Sequence, residues 1–136
     1  IDLLIIDYLQ IITGFEPITT KTEKRNFENI ARLLKILARS LDIPILLLSK
    51  LTNQVEMKSG HKTPILHNLY SYGAIEKYAD LVLFIYRMER YGIVEDEFGN
   101  DMTGLTDIII AKNGNGQLGQ TRIRFVPELA KFTDIE

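Results

Sequence analysis

No cysteine occurs among the 136 residues, which excludes disulfides and thiolate metal centres and fits a reducing cytoplasm. Excess positive charge is lacking as well. Sixteen Lys and Arg face 18 Asp and Glu, giving a formal charge of −2, so bulk basic attraction to nucleic acid is excluded and only a local basic loop could do that work. No apolar run approaches the length of a membrane span, and no signal-peptide pattern stands before the first apolar segment. There is no internal repeat and no low-complexity tract. The order of residues yields no Ser-His-Asp or paired-carboxylate arrangement. His61 and His67 have no acidic partner at metal-ligand spacing, so both read as solvent-exposed loop histidines.

Two phosphate-binding motifs fail on inspection. A P-loop requires G-x-x-x-x-G-K-[ST], with a glycine directly before the lysine so that backbone N–H groups close on phosphate. Lys21-Thr22 follows Thr20 instead, and Gly14 stands one residue too far away. Gly114, Gly116 and Gly119 match G-x-G-x-x-G, but that fingerprint needs a following helix whose N-terminus faces a pyrophosphate. The residues that follow, Thr-Arg-Ile-Arg-Phe-Val at 121–126, alternate like a strand, so these glycines turn a β-hairpin.

What is present is ordinary globular chemistry, 46% apolar and 25% charged, long enough for one domain over residues 1–136. Residues 3–6 are continuously apolar, the pattern of a strand buried on both faces of a parallel sheet. Asp7 ends that run. A carboxylate at the C-terminal tip of a central parallel strand sits where open α/β sheets bind ligands, and there it holds Mg²⁺ through water; equally, Asp7 only begins a polar turn. The chain opens at Ile1 directly on this strand, which reads as a fragment or a trimmed protein.

Residues 13–22 form a surface loop, and from about Lys24 an apolar stripe of Phe27, Ile30, Leu33, Leu34, Leu37 and Leu41 marks a helix. Asp42-Ile43-Pro44 stops it. A second buried strand at 45–48 ends in Ser49-Lys50; residues 51–70 make a long polar loop carrying Lys58 and Lys62. A short helix is expected at 73–80 and a third buried strand at 81–86. Residues 95–104 form a solvent loop before strands at 106–111 and 121–126. This order points to an α/β domain.

Five segments in this order carry a family resemblance: Ile-Ile-Asp-Tyr-Leu-Gln (5–10), Ile-Pro-Ile-Leu-Leu-Leu-Ser (43–49), Gly-Ala-Ile-Glu-Lys-Tyr-Ala-Asp (73–80), Phe-Ile-Tyr-Arg (84–87) and Ile-Ile-Ile-Ala-Lys (108–112). Together they resemble the C-terminal half of the ATPase domain of DnaB-family replicative DNA helicases, across essentially the whole chain. The resemblance implies a RecA-like P-loop NTPase core, mostly parallel with a C-terminal β-hairpin, here lacking the P-loop strand and helix. It implies ATP and Mg²⁺ as cofactors, single-stranded DNA as partner, a homo-oligomeric hexameric ring, and a cytoplasmic protein with no membrane contact. Asp7 is similar to the Walker B carboxylate that holds Mg²⁺ through water. Lys112 is similar to the lysine that reaches a neighbouring subunit's ATP site, and Gly73 to the glycine of the DNA-contacting loop. The P-loop strand of such ATPases lies between the strands equivalent to 44–49 and 81–86. In its absence those two pair directly, or the slot is filled by another chain.

The departures from the family pattern bear on activity. Gly114 stands where the family has its arginine finger, a group that contributes about 10³ to 10⁵ in rate. Lys50 replaces the glutamine that senses nucleotide; a lysine pairs with phosphate but cannot orient water as an amide does. The DNA loop reads Leu69-Tyr70-Ser71-Tyr72-Gly73, so an arginine for backbone phosphate is lost and two tyrosines appear. Tyr70 and Tyr72 either stack on bases, at roughly 1–3 kcal/mol each, or pack with Tyr78 against the core. Lys58 and Lys62 either touch phosphates or are solvated, and Lys50 and Lys112 read equally as solvated charges at strand ends. The expected reading is a helicase ATPase fragment, inactive alone; the alternative is a non-catalytic remnant that binds single-stranded DNA or docks on an intact helicase.

Overall fold

The computed structural model describes residues 1–12, 20–52, 63–69 and 73–135. The chain divides into two compact units, Ile1–Asn53 with Leu66–Ala79, and Gln54–Ile65 with Asp80–Glu136.

In the first unit, β1 (Leu4–Ile6) and β2 (Ile45–Leu47) pair in parallel, with Leu4, Ile5 and Ile6 opposite Ile45, Leu46 and Leu47. Helix α1 (Thr20–Leu41) connects them, as a parallel pair requires. Its apolar stripe buries Phe27, Ile30 and Ala31, whereas Leu33, Leu37 and Leu41 at the other end stay exposed. The helix stops where the sequence indicates. Asp42 takes a left-handed conformation (φ 51°), a position that tolerates Asp, and the Ile43 N–H folds back onto the Ala38 carbonyl at 3.1 Å before Pro44.

Burial on both faces of these strands is not found. Ile5 is 57% exposed and Leu46 is 50% exposed, while their neighbours Leu4, Ile6, Ile45 and Leu47 are half-buried. A strand pair covered on one side alternates in burial whatever its composition, which is why a continuous apolar run overstated its cover. The short helix expected at 73–80 is also corrected. Those residues form successive turns in which the Tyr78 and Ala79 N–H groups both donate to the Ile75 carbonyl. Gly73, at φ +85°, is a poor start for a helix, and Ala74 and Ile75 are instead buried.

The second unit is an antiparallel sheet of four strands in the order β3-β4-β5-β6, comprising β3 (Leu81–Arg87), β4 (Leu105–Asn113), β5 (Gly119–Val126) and β6 (Lys131–Thr133). Parallel pairing is therefore confined to β1 and β2 among the described residues, a smaller share than the sequence suggested. The hairpin expected at the glycines is present, with β4 and β5 paired from Leu105–Arg124 to Ile110–Gly119. Strand β6 was not anticipated. Ala130, left-handed at φ 47°, turns the chain back so that Phe132 packs on Phe125 at 5.0 Å between ring centroids. Strand β3 alternates, burying Val82, Phe84 and Tyr86 and exposing Leu81, Leu83 and Ile85. Among the described residues the direct pairing of strands 44–49 and 81–86 is not formed, because β2 bonds to β1 and β3 bonds to β4 in separate sheets.

Tyr86, Met88, Met102 and Leu105 form the core of this sheet. Across β4 and β5 the Arg122 guanidinium grips the nearly buried Asp107 carboxylate in a fork, Nε to Oδ1 at 2.6 Å and Nη2 to Oδ2 at 3.0 Å. Gly104, at φ +73°, leaves no room for a side chain, since a Cβ there would lie 2.8 Å from the Phe125 carbonyl oxygen.

Gly104 donates its N–H to Glu89 Oε2 at 2.8 Å, and Glu89 also pairs with Arg87. The Arg87 hydrogen bond, then the Gly104 amide, hold the Glu89 carboxyl below its ordinary value of 4.5. A carboxyl depressed in the folded state adds stability that is present above its unfolded value and is lost as pH falls through the folded one. The protection of the Gly104 amide against hydrogen exchange is accordingly expected to hold above the ordinary carboxyl value of 4.5 and to fall as the pH is lowered beneath it. Glu89→Gln should flatten that dependence; an equal drop in the variant would assign it to other carboxylates.

Candidate nucleotide site at the strand tips

Strands β1 and β2 end at the same level, and the chain beyond them is stitched together by backbone. The Leu48 N–H donates to the Ile6 carbonyl at 2.9 Å, and the Leu9 N–H donates to the Leu48 carbonyl at 2.8 Å. Leu9 is completely buried beneath this crossing. Asp7 therefore leaves β1 at the C-terminal tips of two parallel strands, exposed to solvent, through a cis peptide to Tyr8. Its carboxylate takes no hydrogen bond or ion pair from the described residues.

The side chain of Gln10 spans both tips. Its Oε1 accepts the Lys50 N–H at 3.2 Å, and its Nε2 donates to Ser49 Oγ at 2.9 Å. The Ser49 hydroxyl in turn donates to the Lys50 carbonyl at 3.3 Å. The Lys50 ammonium lies 4.4 Å from the centre of the Tyr8 ring, a cation–π contact of about 0.5–1 kcal/mol at an exposed site. Asp7 and Lys50, both read from sequence, thus share one end of one small sheet. Gln10, Ser49 and Tyr8 were not singled out. Nothing local in the sequence marks Gln10, whose partners Ser49 and Lys50 lie far along the chain.

The other positions singled out in the sequence fall elsewhere. Lys112 lies in the second unit near the end of β4, half-buried and opposite Val82, beside an irregularity in the β3–β4 register. Gly114 follows it at the hairpin turn, its N–H donated to the Asp80 carbonyl at 2.9 Å. Gly73 is exposed in the first unit, with nothing within 4 Å of where a Cβ would stand. Lys58, Lys62, Tyr70, Tyr72 and His61 lie outside the described residues. His67 is exposed, as expected from the sequence. Tyr78 neither stacks outward nor leaves its hydroxyl to water. That hydroxyl donates to Glu28 of α1 at 3.5 Å, and Lys77 bonds the same carboxylate oxygen at 3.2 Å, which raises the lysine's pKa. Glu28 thereby ties the turn after Gly73 to the helix.

Carboxylate and hydroxyl oxygens are hard donors of the kind Mg²⁺ takes, usually through its waters. The described residues hold no group of three or more His, Asp or Glu side chains able to cage a metal ion. No G-x-x-x-x-G-K-[ST] sequence that would cradle phosphate with its backbone occurs in these 136 residues.

Residues 1–134 match the family model described as the DnaB-like helicase C-terminal domain. The replicative DNA helicase DnaB of Geobacillus stearothermophilus is 35% identical over 134 residues, covering 98% of this chain and 28% of that protein. The replicative DNA helicase DnaC of Bacillus subtilis is 37% identical over 134 residues, with the same coverage of 98% and 28%. The chain thus spans less than a third of the length of these relatives. Among solved structures, a DnaB-like replicative helicase described with its interactions with primase superposes with a TM-score of 0.83 at 30% identity, over 98% of this chain and 30% of that one. A second solved structure, described as an ATPase domain, gives the same TM-score and identity and is covered to 44%. The fold is accordingly a partial RecA-like ATPase core, and the chain belongs to the family of DnaB-like helicase C-terminal domains.

Proposed function

We propose that this chain is the C-terminal part of a replicative DNA helicase motor, in which ATP hydrolysis drives movement along single-stranded DNA. The observation that carries the reading is Asp7, an exposed carboxylate without a partner among the described residues, held at the shared tips of two parallel strands in a chain of this family. A side chain placed so, with the chain beyond it clamped by Leu9 and Gln10, is positioned for something outside the chain's own packing.

In this reading Asp7 orients the water shell of the Mg²⁺ that neutralises phosphate charge. Lys50, held over Tyr8, offers a cation to the terminal phosphate in place of an amide. Lys112 is directed to the nucleotide of an adjacent subunit in a hexameric ring, and the segment around Gly73, with Tyr70, Tyr72, Lys58 and Lys62, meets single-stranded DNA. The 1–136 chain acts as one domain in the cytoplasm. Gly114 supplies no transition-state charge.

The 136 residues alone are expected to show no Mg²⁺-dependent ATP turnover above buffer, measured as phosphate released from radiolabelled ATP. The protein translated from the complete reading frame is expected to turn over ATP if a P-loop strand and helix are encoded upstream of Ile1. Turnover by the short chain alone would overturn this assignment of roles. A start codon just before Ile1 would support the second reading, favoured by Gly114 in the arginine position: a non-catalytic module on single-stranded DNA or on an intact helicase.

A further inference from the structure

The turn between β4 and β5 contains two successive Asn-Gly pairs, Asn113-Gly114 and Asn115-Gly116. Asn-Gly is the dipeptide most open to intramolecular imide formation, because glycine leaves the following backbone nitrogen unhindered and free to take unusual conformations. The structure treats the two pairs differently. Both halves of the reaction are occupied at the first. Asn113 Nδ2 donates to the Gln117 carbonyl at 3.3 Å, and its Oδ1 accepts the Asn115 N–H at 3.2 Å. The Gly114 nitrogen, which would have to attack, donates its N–H to the Asp80 carbonyl at 2.9 Å. Asn113 is also held in β4 opposite Leu81.

At the second pair neither half is occupied. Asn115 and Gly116 are exposed, and neither the Asn115 side chain nor the Gly116 N–H has a partner among the described residues. A Cβ at position 116 would come within 2.8 Å of Asn113 Nδ2, so a larger residue there would displace the Asn113 amide.

We propose that Asn115 is a site of spontaneous deamidation, selected over Asn113 by the hydrogen bonds of the hairpin turn. The Gly116 backbone nitrogen bonds to Asn115 Cγ and loses its proton. The Cγ–Nδ2 bond breaks, and the side-chain nitrogen leaves as ammonia. Water then opens the five-membered imide at either carbonyl, giving aspartate or isoaspartate. One water is consumed and one ammonia released overall, with no change of oxidation state. The product adds one negative charge to the hairpin that carries Lys112, and the isoaspartate form adds a methylene to its backbone. None of this depends on the nucleotide reading.

The test is incubation of the 136-residue chain in mildly alkaline buffer, followed by tryptic digestion and fragmentation mass spectrometry. Both asparagines fall in one peptide, residues 113–122, so fragment ions must assign the gain of roughly one mass unit. In the folded chain Asn115 is expected to react at least about tenfold faster than Asn113, the order of factor that one protecting hydrogen bond provides. In denaturant the two rates should converge, and Asn115→Gln should remove the fast product. Equal rates in the folded chain, or Asn113 reacting first, would overturn the proposal, as would a folded-state preference that persists in denaturant.

Discussion

Asp7→Ala is expected, on the proposed motor reading, to lower the Mg²⁺-dependent ATP hydrolysis of a complete reading frame carrying a P-loop by about 10- to 100-fold, the usual cost of removing an outer-shell partner of a metal. The same substitution should leave stability within about 0.5 kcal/mol of the parent, as surface changes generally do. The two expectations belong together. The Asp7 side chain is exposed and bonds to nothing among the described residues, so the folded state loses little with it. Asp7→Asn keeps the size and removes the charge, and should behave as Asp7→Ala does if the role is electrostatic. Unchanged turnover in both variants would reduce Asp7 to the first residue of a polar turn. A large loss of stability would place it in the packing instead.

The elements of this fold were legible where a residue's chemistry is local. Pro44 and the exhausted apolar stripe set the end of α1, and the alternation at 121–126 identified β5 and removed the dinucleotide reading. Pairing was less legible, because it is decided across distance. The apolar runs of β1 and β3 read alike, yet β1 pairs in parallel and β3 is antiparallel, and each is covered on one face only. Strand β6 escaped notice because three residues are too few to show a period. At the strand tips, the placement of Asp7 and Lys50 was readable from the apolar runs that precede them. The Gln10 clamp was not, because an amide's two hydrogen bonds to a segment some 40 residues away leave no mark on either stretch alone.

Leu9→Ala is expected to be the most damaging single change to the strand tips. Leu9 is completely buried, and truncating a buried leucine costs about 2–5 kcal/mol through lost transfer energy and the cavity left behind. That is a large share of a typical stability of roughly 5–15 kcal/mol. Ile5→Ala removes an aliphatic side chain of similar size from the adjoining strand, but Ile5 is 57% exposed, so its loss should cost no more than about 1 kcal/mol. Urea unfolding of the two variants gives the comparison directly. Hydrogen exchange at the Leu9 and Leu48 amides shows whether the damage is local, because those groups carry the crossing from β1 to β2. If Leu9 holds the tips in register, Leu9→Ala should expose both amides before the rest of the unit opens, and it should weaken any activity that relies on Asp7. Equal costs for the two variants would mean that the crossing is held by its backbone hydrogen bonds and the Gln10 clamp, with the buried leucine adding little.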